Sequence, residues 1–199
     1  MERLQTFDFV LLLALLAMFI VGYAQGVVRR LLGLAAITFS LILGALLRPT
    51  VGGYLANEWT TIIPQYSYMV GFGAVFVAAA VTLSIGIQIS YRPAPLFPKY
   101  PVLDELLGGI LGVVEGFLLI IAFLLITDPY FHLQAAQDHP GLGEFGLLRT
   151  LHEYIDKTLI ADVLRHTVIP VILFVLGFLF QQDVKDAFAR ALTFLTARR

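Results

Sequence analysis

Cysteine is absent from the chain, which removes disulfides, thiol catalysis and thiolate metal sites together. Charge is scarce as well: 14% of residues are charged, the net charge is −1, and the only clustered bases are Arg29–Arg30 and Arg198–Arg199. A chain with no basic field has little hold on a phosphate backbone, so no nucleic acid is expected as a partner. What takes the place of charge is hydrocarbon. A hydrophobic fraction of 59% and a mean hydropathy of +0.87 are far above those of a soluble domain, so the 199 residues read as an all-α integral membrane protein whose first partner is the lipid bilayer.

The residues for chemistry are missing too. A membrane serine protease needs a serine with a His or Lys partner in neighbouring spans, but Ser40 and Ser84 lie in apolar runs that contain neither. An aspartyl protease needs two intramembrane acids, and Glu115 alone sits deep. His152-Glu153 is followed by Asp156 where a metalloprotease helix would carry its second histidine. No glycine loop for cradling phosphate is present. The four histidines, His132, His139, His152 and His166, all follow the last long apolar run and read as surface histidines. The expectation is a protein that is not an enzyme, with no catalytic residue, no cofactor and no metal ligand.

Four runs are long enough to span. Phe7 to Ala24 is the first, with Asp8 at its margin; a signal peptide cut near Ala24 is the competing reading, opposed by a charge-balanced N-terminus and by Arg29-Arg30 after the run. Leu31 to Leu47 is the second, with small residues at Ala36, Ser40 and Gly44 and a stop expected at Arg48-Pro49. Gly22 to Arg30 then reads as a tight hairpin. Tyr68 to Ile89 is the third, carrying a small-residue stripe at Ala74, Ala78, Thr82, Gly86 and Ser90. Prolines between Tyr91 and Pro101 forbid a helix and favour an extended strap.

The fourth run, Leu103 to Thr127, organises the rest. At about 100° per residue, Asp104, Gly108, Gly112, Glu115 and Gly116 gather on one face. Glycines four apart invite close approach by another helix, and the stripe of the third span is the expected partner. Glu115 should avoid lipid; the preferred state is protonated, hydrogen-bonded to Gln25, Ser40 or Thr82, with Arg29 or Arg30 held at the interface.

Residues 1–127 thus form a four-span core and 128–199 a different region. There, Asp128 to Gly146 reads as polar turns, and Leu148, Leu151, Ile155 and Leu159 mark an amphipathic helix lying on the membrane surface or covering the bundle. An apolar segment at 168–180 is short for a span, although the basic tail with Lys185, Arg190, Arg198 and Arg199 favours its crossing as a fifth membrane segment. Placing every short basic connection on one side puts the N-terminus outside and Arg29-Arg30, Arg92 and Lys99 in the cytoplasm.

Two segments, Gly22-Tyr-Ala-Gln-Gly26-Val-Val-Arg29 after an Asp8-led first span and the series Asp104, Gly108, Gly112, Gly116, resemble the colicin V production protein family in order and separation. The resemblance covers the four spans. It implies a small multi-pass protein of the bacterial inner membrane, without known catalytic activity, connected with production of the toxin colicin V and with the envelope. Gln25 and Glu115 depart from it, the first standing where the family usually has a basic residue and the second where it often has another. The expected function is therefore a non-enzymatic membrane factor that works through other membrane proteins or as a homo-oligomer. The alternative is a small transporter or channel subunit using Glu115 as an intramembrane carboxylate.

Overall fold

The structure, a computed structural model, describes residues 6–60, 63–90, 96–97, 99–133 and 145–176. Regular structure among them is helical throughout: α1 (Thr6–Gln25), α2 (Val27–Glu58), α3 (Pro64–Ser90), α4 (Pro101–Phe131), α5 (Gly146–Asp156) and α6 (Leu159–Leu176). The first four are long and apolar enough to cross a membrane. They alternate in direction, so the start of α1, the end of α2, the start of α3 and the end of α4 meet at one end of the bundle, where α5 and α6 cover them. We call this the Asp128 end, and the opposite one the Gly26 end.

α4 touches each of the other five helices. Its glycine face, however, does not meet α3. Gly108, Gly112 and Gly116 receive α1, at Gly22, Met18 and Leu15, while α3 packs along α2. The stripe Ala74, Ala78, Thr82, Gly86 and Ser90 expected to face those glycines is exposed instead, and Gly86 has open space around it. The reason lies in α1: Gly22 near its end and Gly26 just past it, four apart, offer a narrower surface than alanines do, and two glycine faces together bring the backbones closest.

α2 also departs from expectation. It runs through Arg48-Pro49 to Glu58, 32 residues, or about 48 Å, and includes Gly52 and Gly53. Pro49 removes one helical donor, a loss that membrane helices tolerate when neighbours and local adjustment satisfy the freed carbonyl. Arg48 is buried with its guanidinium 5.6 Å from the Tyr68 ring centre, and Gly52 fits against the backbone of Tyr68, where a Cβ would come within 2.7 Å of Cα. Packing against α3 thus holds the helix past the residues that would end it in water.

At the start of α3, Pro64 sits where its missing N–H has no helical partner to lose. α4 likewise runs on to Phe131, so Asp128 occupies its last turn and not a polar loop, with Pro129 inside the helix. The core lies in the half of the bundle toward the Asp128 end, where Leu41, Tyr66, Phe72, Leu124, Leu125 and Tyr130 are almost fully buried with Ile169 of α6. α5 does form, but its buried residues are His152 and Ile155, while Leu151 of the expected apolar stripe is exposed. Of the expected segment 168–180, residues 168–176 are the second half of a helix that begins nearer α5, at Leu159; residues 177–180, the tail 181–199, most of the strap and His139 lie outside the described residues.

Candidate functional site

Among the described residues, three groups of polar side chains stand within and at the ends of the bundle. At the Gly26 end, α1 and α2 are separated by one residue, Gly26, whose φ of +75° only glycine adopts freely. The expected hairpin from Gly22 to Arg30 is reduced to that break. Asp104, buried in the first turn of α4, holds it: Oδ2 accepts the Val27 N–H at 3.4 Å, one of the unpaired donors at the start of α2, and Oδ1 accepts the Leu96 N–H of the strap at 2.9 Å. A Cβ on Gly108 would stand 2.6 Å from the Gly22 carbonyl oxygen, and one on Gly26 would strike the Asp104 carboxylate at 2.5 Å. Gly22, Gly26, Asp104, Gly108, Gly112 and Gly116 are therefore one joint, in which α1, α2, α4 and the strap converge. Arg29 is half-buried beside it.

Deeper in, Glu115 forms an ion pair with Arg30. Its partner is not one of the neutral groups expected for it, because the break at Gly26 starts α2 early enough to carry Arg30 into the bundle. Ser40 and Thr82, offered as its partners, instead donate to carbonyls of their own helices, Ala36 at 2.7 Å and Ala78 at 2.7 Å. Gly33 leaves the space into which the Glu115 carboxylate fits, since a Cβ there would lie 2.9 Å from Oε1. The pair is shielded, with side-chain exposures of 6% and 13%.

The third group is at the Asp128 end. Asp128 faces Arg165 of α6, whose Nε donates to Oδ2 at 2.8 Å and Nη2 to Oδ1 at 2.8 Å, a two-pronged pairing of planar groups. His152 of α5 puts Nε2 2.9 Å from the same Oδ1, and its ring stacks on Phe131 at 4.6 Å between centres. Arg165 extends Nη1 to Asp156 Oδ1 at 2.7 Å, and His132 brings Nε2 to 3.6 Å from that oxygen. Burial opposes charge on His132, but the Asp156 and Asp128 carboxylates outweigh it and hold the imidazolium above its usual range. Burial likewise opposes charge on Asp156, and His132 with Arg165 pulls its carboxyl far below the usual range. Asp8 completes this end: buried in α1, it accepts the Leu159 N–H at the start of α6 at 2.9 Å. Tyr66 accepts the Phe145 N–H ahead of α5 at 2.8 Å.

Histidines read as surface residues are thus drawn into a buried cluster. The sequence does carry a trace of it. Asp128/His132 and His152/Asp156 are acid–histidine pairs four apart, each on one face of its helix.

Glycine seams, an ion pair inside the bundle and four helices of spanning length define a multi-pass helical membrane protein. The model of the colicin V production protein family matches residues 7–138, and the chain belongs to that family. No curated protein and no solved structure matches it. The match takes in the Gly26 joint, the Arg30–Glu115 pair and the α4 half of the Asp128 cluster. Residues His152, Asp156 and Arg165 lie beyond it.

Proposed function

We propose that this protein supports colicin V production or envelope function without catalysis, acting through a helix of another membrane protein or of a second copy. The observation that carries the reading is the exposed small-residue face of α3, Ala74 to Ser90, on a bundle whose own glycine faces are already occupied. Small residues are what membrane helices use to associate. Transport through Glu115 has weak footing, because Arg30 closes off that carboxylate. Basic connections favour an inner-membrane orientation with the Gly26 end in the cytoplasm and the N-terminus outside.

Purification of the tagged chain in mild detergent tests the reading. A stoichiometric partner or a dimer should appear and be lost in Ala78→Leu and Gly86→Leu, which have room for the added side chain within the monomer. A strictly monomeric chain, with both variants still supporting colicin V production, removes it.

A further inference from the structure

Asp128, His132 and His152 each present a ligand atom, and these atoms lie within 4.8 Å of one another. We infer that this cluster binds a divalent ion of the zinc class, with Asp128, His132 and His152 as ligands and Asp156 at the edge of the site.

Four observations support the assignment. Two imidazoles with a carboxylate are a nitrogen and oxygen donor set that suits zinc and excludes magnesium and calcium, which take oxygen. Donors bound to one ion at about 2.0–2.2 Å stand roughly 3.3 Å apart, so small rotations close the present spacing. The rings are already oriented. His132 Nδ1 lies 3.2 Å from the Asp128 carbonyl oxygen, which can only accept, so this nitrogen carries a hydrogen and Nε2, 3.6 Å from Asp156 Oδ1, is the nitrogen that can ligate once it has no proton; zinc-binding histidines are fixed in this way. His152 is held by its stacking on Phe131, and Asp128 by the two-pronged grip of Arg165.

The fourth observation is the room left on Asp128. The Arg165 guanidinium occupies one lone pair on each carboxylate oxygen and leaves the other on Oδ1 toward His152, whose Nε2 stands 2.9 Å away. An entering ion takes that position, and any proton on a ligating nitrogen leaves to solvent. His132, with a side chain 21% exposed, gives the way in. Asp128 and His132 lie within the stretch that the family model matches, and His152 and Arg165 lie beyond it.

The test uses the full chain in detergent, stripped with EDTA and titrated with ZnCl2 or MgCl2. One zinc per chain is expected, with magnesium ineffective and zinc affinity falling at least about tenfold in His132→Gln and in His152→Gln but not in His166→Gln. Cobalt titrated into the wild-type chain should give the strong visible bands of a low-coordinate site, a readout that needs no variant to fold. No zinc taken up by the wild-type chain, zinc binding unchanged in both cluster variants, or cobalt bands of an octahedral aqueous ion would each overturn the assignment.

Discussion

Arg30 and Arg165 are both buried and both meet a carboxylate, but their surroundings differ. Among the described residues Arg30 faces Glu115 alone, for which Gly33 leaves room, and its Nε has no hydrogen-bond partner. Arg165 uses Nε, Nη1 and Nη2 on two carboxylates that also face two imidazoles. The first pair joins two helices that already pack. The second holds α5 and α6 to the bundle. A single pair inside a membrane is replaceable by hydrocarbon, whereas a connected network is not, because removing one pair strands its remaining members.

The largest effect should come from Asp128→Ala, which leaves Arg165 and His152 without their main acceptor. A loss of about 3–5 kcal/mol is expected, seen as early proteolytic release of the α5–α6 region before the four-helix core melts. Should core and cap still melt together, the network is not what attaches the cap. Next comes the pairwise swap. Arg30→Leu with Glu115→Leu should change stability by no more than about 1 kcal/mol, whereas Arg165→Leu with Asp128→Leu should remain strongly destabilising because Asp156 and the histidines lose their counter-charge. Equal costs in thermal melts of the two doubles would erase the distinction drawn here.

Gly112→Leu tests whether the glycine seam holds α1 to α4. It should abolish accumulation of the folded protein, since the new side chain meets the Met18 backbone, while Leu119→Ala on the half-exposed surface should be tolerated. Similar steady-state levels of the two variants would discount the seam. The smallest effect belongs to Asp104→Asn, which keeps an acceptor for the Val27 N–H but loses charge at the helix N-terminus; about 0.5–1 kcal/mol is expected in a melt.

The lengths of the apolar runs were enough to read four spans, and the glycine face of α4 was legible from spacing. Two errors came from carrying rules for water into lipid. Arg48-Pro49 is a stop signal in a soluble helix, but here α3 packs alongside and the helix continues. A second span starting at Leu31 places Arg30 in a hairpin at interface depth, too shallow to favour pairing with Glu115. Gly22 and Gly26 read as part of that hairpin, which hides α1 as the partner of α4. The Asp128 cluster was harder to see, because its members come from α4, α5 and α6 and no single periodicity contains them.

The seam between α1 and α4 joins the first and last of the four spanning helices, and this orders biosynthesis. In a chain inserted from its N-terminus the α2–α3 hairpin can pair once both helices have emerged, while Gly22 of α1 has no α4 backbone to meet until α4 follows, on the order of ten seconds later at about 5–20 residues per second. During that interval α1 is an orphan helix, open to insertase, chaperone or membrane protease. The arrival of α4, with Asp104 closing on the start of α2, ends that exposure and commits the chain to its fold.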